Sequence, residues 1–115
     1  MPTQIVSAPI SLGDLRRLAE QQFGDFVKAV VDVQRQLMAI GAELHADEEA
    51  VLLQEGSRQA DLWGINLYVD QAGDDLIEFD SMINVRPSQG NRSRGVEDPA
   101  VQRLIRDIVG RLVTP

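Results

Sequence analysis

The stretch DLWGINLYV, residues 61–69, alternates without a break. Trp63, Ile65, Leu67 and Val69 fall on one side of an extended chain, and Gly64, Asn66 and Tyr68 on the other. An α-helix would scatter these apolar residues around its axis, so the stretch calls for a strand with one buried face. DQAGDD, residues 70–75, has turn composition. LIEFDSMINVR, residues 76–86, then alternates again. Ile77, Phe79, Ser81, Ile83 and Val85 lie on one side, and Glu78, Asp80, Met82, Asn84 and Arg86 on the other. Two alternating runs around a short polar break predict a hairpin.

Segments of helical period flank it. In SLGDLRRLAEQQFG, Ser11 can cap a helix by accepting from the N–H of Asp14; Leu12, Leu15, Leu18 and Ala19 recur at helical spacing, and Gly24 fits the stop. In EDPAVQRLIRDIVGRLV, Asp98 is the expected cap and Pro99 the first helical residue. Val101, Leu104, Ile105, Ile108, Val109 and Leu112 form the apolar stripe. HADEEAVLLQEGS reads as a shorter helix capped by Asp47 and ended by Gly56. DFVKAVVDVQRQLMAIGAEL is ambivalent, because alanine, leucine and methionine would tolerate a helix. Its valines alternate from Val27 to Val33, and Gln34-Arg35-Gln36 breaks the run, which favours a first hairpin.

The expected fold is therefore α+β: a mainly antiparallel four-stranded sheet in two hairpins, covered by helices, in the order α-β-β-α-β-β-α. With 115 residues, 43% of them apolar and 25% charged, the chain suits one domain, residues 1–115, with residues 1–9 expected to be flexible. If the helices cover the face of Trp63 and Phe79, the opposite face displays Asn66, Tyr68, Glu78, Asp80, Asn84 and Arg86, joined by Lys28 and Asp32.

A formal net charge of -7 disfavours nucleic acid as a partner, since phosphate-backbone binding draws on an excess of lysine and arginine. There is no cysteine, which excludes disulfides, thiolate metal sites and thiol catalysis. MPTQIVSAPI lacks the basic end and apolar run of a secretory signal, and no apolar run approaches a membrane span. A cytoplasmic protein without a membrane partner is the expectation.

The strings VVDV, MAIGAELHADEEAVLLQEGSRQADLWGINLY, INVRPSQGNRS and DPAVQRLIRDIV carry a resemblance. Over about residues 10–112, the chain resembles a small family of uncharacterised prokaryotic proteins grouped as a domain of unknown function. The resemblance implies a stand-alone protein of this length and brings no activity, cofactor or catalytic residue.

Function must then be sought in the side chains. The loop from Arg86 to Gly95, RPSQGNRSRG, is basic and rich in amides within an acidic chain. Gly90 and Gly95 permit backbone turns whose consecutive N–H groups bind anions. Arg86, Arg92 and Arg94 can clamp a phosphate or carboxylate, and Asn84, Ser88, Gln89, Asn91 and Ser93 can read a polar ligand. The same groups can instead satisfy the loop's own backbone or pair with Glu97 and Asp98. The glycine spacing matches neither a P-loop nor a dinucleotide fingerprint.

His45, the sole histidine, lies among Glu43, Asp47, Glu48 and Glu49, a spacing poor for chelation; no metal and no cofactor is expected. Glu78 and Asp80 stand ~7 Å apart along one side of a strand. This allows acid–base work or a solvated face of ion pairs. Three readings follow. The first is a module binding a small anion or nucleotide through the Arg86–Gly95 loop, with Asn66, Asp80 and Asn84 on the adjacent sheet face. The second is a small hydrolase or nuclease-like enzyme using Asp80 and Glu78 with Arg86 and His45. The third is a homodimer formed through an open sheet face or edge.

Overall fold

The computed structural model describes residues 3–115. Its central sheet has five antiparallel strands in the order β1 (Gln4–Val6), β4 (Leu37–Ile40), β3 (Phe26–Asp32), β5 (Leu62–Tyr68) and β6 (Ile77–Glu78). β3 and β5 pair along their whole length, from Phe26 opposite Tyr68 to Asp32 opposite Leu62. A separate parallel pair joins β2 (Ile10–Ser11) to β7 (Val113–Thr114). The helices are α1 (Leu12–Gln21), α2 (His45–Gln54) and α3 (Pro99–Leu112). None is long and apolar enough to cross a membrane among the described residues.

The first hairpin forms where the alternating valines predict it. The carboxylate of Asp32, fully buried, accepts from the N–H groups of Gln34 and Arg35, both at 2.9 Å, and Gln36 turns the chain back at φ 58°. The α+β class and antiparallel pairing follow the sequence; the four-strand count and the order α-β-β-α-β-β-α do not, since β1 and β2 precede α1 and β7 follows α3. Residues 4–6, within the segment expected to be flexible, pair with β4 from Gln4 opposite Ile40 to Val6 opposite Met38. The physical reason is β4 itself, whose four residues are all buried and whose outer backbone groups need partners. Residues 1–2 lie outside the described ones.

The second hairpin is also shorter than its alternation predicts. Only Ile77 and Glu78 pair with β5; the chain then leaves the sheet and makes a single 3₁₀ turn at Met82–Asn84. Gly64 explains the departure. A Cβ built on it would lie 2.5 Å from Cβ and Oγ of Ser81, so the missing side chain is the space Ser81 occupies.

Helices cover both faces of the sheet, not one. On the first, Leu15 and Ala19 of α1 and Ile105, Ile108, Val109 and Leu112 of α3 pack on Val27, Ala29, Val31, Met38, Ile40, Ile65 and Leu67. On the second, Leu52 of α2 packs on Val30, Leu37, Ala39 and Leu62. Full burial of each Val, Leu, Ile or Met side chain among these contributes about 1.5–3 kcal/mol. α1 has the expected cap, with Ser11 Oγ accepting from Asp14 N–H at 3.1 Å, and Gly24 follows at φ 95°. α3 has its Asp98 cap, accepting from Ala100 N–H at 2.9 Å, although Leu104 points outward. α2 begins at His45, ahead of the expected Asp47 cap. Leu44 occupies the cap position and offers no side-chain hydrogen bond, so Asp47 and Glu48 fall in the first turn.

Candidate functional site

The Arg86–Gly95 loop holds itself. Arg86 and Asn91 pair through their backbones, at 2.7 and 3.1 Å, around a 3₁₀ turn closed by Gly90 at φ 85°. The Arg86 guanidinium lies 4.1 Å above the ring of Trp63 and donates to the carbonyls of Gln59 and Leu62. Gln89 donates to the Ala60 carbonyl at 2.9 Å. Asn91, 4% exposed, donates to the carbonyls of Asn84 and Gly95 at 2.8 Å and accepts from Glu97 N–H at 2.9 Å. Asn84 is fully buried and spans Gly64 and Arg94. With so little sheet between Phe79 and Val96, the amides supply partners that a strand ladder would otherwise provide.

The anion nest expected in this loop exists, and its occupant belongs to the chain. The N–H groups of Arg92 and Ser93 both point at Glu97 Oε2, each at 2.7 Å. These bonds, from Ser93 first and then Arg92, hold the Glu97 carboxyl below its ordinary range. Arg94 Nε binds Asp80 at 2.6 Å. Of the polar side chains of the Arg86–Gly95 loop, only those of Ser88 and Arg92 stand exposed and without a partner among the described residues.

The polar sheet face is likewise more closed than its parity predicts. α2 and the Ser81–Asn84 segment lie over it, leaving Asn66 only 7% exposed. Asn66 Nδ2 donates to Glu78 Oε1 at 2.8 Å, and the Tyr68 hydroxyl donates to the same oxygen at 3.2 Å. Desolvation and then the Glu78 charge push the Tyr68 phenol up.

Between the start of α2 and the Ser81–Ile83 segment lies a cleft of about 200 Å³, lined by Lys28, Leu44, His45, Ala46, Ser81, Met82, Ile83 and Arg94. His45 is nearly buried, and its Nε2 lies 2.7 Å from the carbonyl oxygen of Ile65. Nε2 therefore carries the hydrogen, and Nδ1 is the acceptor. Desolvation lowers the pKa of His45; the Ile65 bond raises it, Lys28 and Arg94 lower it, and Asp80 raises it. The N–H groups of His45 and Ala46, at the positive end of α2, have no partner among the described residues. Lys28 makes no ion pair among the described residues. A larger trough of about 590 Å³ runs along residues 4–11, but its only ionisable lining residue is Asp14, already bound by Arg17.

A family model described as "Protein of unknown function (DUF5674)" matches residues 4–112. The chain belongs to this family. The DUF5674 match runs from the first residue of β1 to the last of α3, so every residue of the cleft falls inside it. No curated protein and no solved structure matches the chain.

The structure thus separates residues that the sequence grouped together. His45, Glu78, Asp80 and Arg94 surround the cleft or lie beside it, whereas Asn84, Arg86, Gln89 and Asn91 are spent on backbone groups. Leu44, Ser81 and Met82 line the cleft as well, and no motif or spacing in the sequence marks them. Their only signal is the uncapped start of α2 and the conflict between Gly64 and a side chain at position 81. Among the described residues, no three His, Asp or Glu side chains are grouped to hold a metal ion.

Proposed function

We propose that this protein binds a small anion bearing an apolar body, in the cleft between α2 and Ser81–Ile83. The carrying observation is the convergence of Lys28, Arg94 and the unpartnered first N–H groups of α2 on one cleft in a chain of net charge -7. Surface charges beyond about 8 Å are screened at physiological salt, so these local groups govern the cleft. Leu44, Met82 and Ile83 supply the apolar walls. This keeps the anion-binding reading and moves its centre from the crest of the Arg86–Gly95 loop, where Glu97 already fills the nest, to the adjoining sheet face.

Titration with phenyl phosphate, read by amide ¹⁵N NMR, tests it. Shifts confined to residues 44–47, 81–83 and 94, weakened about tenfold by Lys28→Ala, are expected for the loss of one charge-assisted contact. Unmoved amides at saturating phenyl phosphate would refute the proposal.

Self-association is a second reading, favoured by Leu44 and Met82, which are 56% and 65% exposed on the two lips of the cleft. A concentration-independent monomer mass in light scattering would remove it. Hydrolysis through Glu78 and Asp80 has less support, because Arg94 holds Asp80 and both Asn66 and Tyr68 hold Glu78.

A further inference from the structure

Past the start of α2, the same sheet face continues as a shelf of aromatic rings. Phe23 and Phe26 stack with centroids 4.7 Å apart and planes at 10°. Phe26 and Tyr68, opposite each other on β3 and β5, lie 5.3 Å apart. All three rings are partly exposed or more. The next row across the sheet is Lys28, Asn66 and Glu78.

Lys28 belongs to both places. It lines the cleft, and its ammonium group lies 5.2 Å from the centroid of Phe23. Asn66 and Glu78 give the row a definite polarity. Asn66 Nδ2 is spent on Glu78, while Asn66 Oδ1 is buried and has no partner among the described residues. Glu78 Oε1 takes both Asn66 and Tyr68, and Oε2 takes no bond among the described residues. Apart from the Lys28 ammonium at its end, the row therefore offers a carboxylate acceptor, Glu78 Oε2, and no free donor.

We infer that the ligand of the cleft is a nucleoside monophosphate. Its phosphate meets Lys28, Arg94 and the start of α2, its base lies on Phe26 and Tyr68, and the N–H groups of the base face the Glu78 carboxylate. Successive same-face rows of a strand are about 7 Å apart, a span that one ribose bridges. Rings select a planar body, and bases stack on aromatic side chains irrespective of sequence. A carboxylate beside the rings selects a heterocycle that presents N–H. A long polynucleotide does not fit, because beyond Lys28 and Arg94 the cleft lining holds no further Lys or Arg and the chain as a whole is acidic. The inference rests on the anion-binding reading and specifies its ligand.

Calorimetric and NMR titrations with GMP, ribose 5-phosphate and inorganic phosphate test it. The guanine edge presents two adjacent N–H donors that suit a carboxylate. GMP is expected to bind about tenfold or more tighter than ribose 5-phosphate, the factor that stacking one base typically supplies. Phe26→Leu and Tyr68→Leu, which retain apolar bulk, should bring GMP down to the level of ribose 5-phosphate and leave ribose 5-phosphate unchanged. Equal affinities of the unaltered protein for GMP and ribose 5-phosphate would overturn the nucleotide assignment while the anion site stands. Failure of all three compounds to move any amide of residues 44–47 would overturn both.

Discussion

The carboxamide of Asn84 accepts from the N–H of Gly64 at 2.8 Å and donates to its carbonyl at 2.9 Å, so one side chain makes both bonds that a neighbouring strand would make. The same Nδ2 donates to the Arg94 carbonyl at 2.9 Å. Asn84→Ala strands both buried backbone groups of Gly64, while the Arg94 carbonyl keeps the Ser81 N–H at 2.9 Å, and should lower stability by about 2–4 kcal/mol. Asn84→Asp restores the acceptor alone and should recover only part of that. Equilibrium urea unfolding measures both; a loss within error for Asn84→Ala would show that water replaces the side chain.

Gly64 and Ser81 form a second dependent pair. Gly64→Ala places a Cβ 2.5 Å from the Ser81 side chain and should cost about 1–3 kcal/mol through overpacking. Adding Ser81→Gly removes the obstructing atoms, so the double variant should be more stable than Gly64→Ala alone. Additive losses would place the conflict elsewhere.

Glu48 ties stability to pH. It is fully buried on α2, Oε2 accepts from the Ala42 N–H at 3.2 Å, and Oε1 has no partner. Burial pushes its carboxyl up to about 9, opposed by the Ala42 bond. The folded state holds a proton that the unfolded chain releases near the ordinary value of 4.5, so this group's contribution to stability falls as pH rises from about 4.5 to 9 and then levels off. Glu48→Gln stays neutral throughout. It should gain on the parent with rising pH, by an amount on the order of 1–3 kcal/mol at pH 7. Melting temperatures at pH 5, 7 and 8.5 check this; a constant offset would mean that Glu48 is ionised in the fold.

His45 shifts the opposite way. Its lowered pKa means the unfolded chain binds the proton first as pH drops below 6.5, so its contribution to stability declines on acidification and levels off below the folded value. An anion in the cleft favours the imidazolium. Benzenesulfonate, whose own charge is fixed, should bind tighter at pH 5.5 than at 7.5, and His45→Gln should abolish the difference. A pH-independent affinity in the parent would separate His45 from the ligand.

Arg92 and Lys28 discriminate the loop from the cleft. Arg92 is exposed and only its N–H is engaged, with Glu97. Arg92→Ala should leave both stability and phenyl phosphate binding unchanged, against an about tenfold loss for Lys28→Ala. The reverse order would return the site to the loop.

Much of the scaffold is legible in the residues. Ser11, Asp98 and Pro99 begin helices where their side chains dictate, and the valines of β3 and the alternation of β5 yield the central pair. What escapes are features set by distant partners. Gln4–Val6 becomes a strand because β4 needs an outer neighbour, and nothing local in residues 4–6 states that need. Residues 79–86 keep strand alternation yet leave the sheet, because Ser81 fills the space at Gly64 and Asn84 satisfies its backbone. The amide-rich loop looks like a recognition surface for the same reason: groups that could bind a ligand are those that can tie down irregular backbone. The cleft joins Lys28, His45 and Arg94 from three separate segments, and no spacing rule links them.

The pairing of β2 with β7, reinforced by Thr114 Oγ1 donating to the Ile10 carbonyl at 3.3 Å, makes two sequence-distant segments each other's anchor. Neither can peel away alone without stripping its companion of backbone partners. Hydrogen exchange at Ser11 and at Thr114 should accordingly proceed through one shared opening, and shortening the chain before Val113 would loosen the entry to α1, more than a hundred positions upstream.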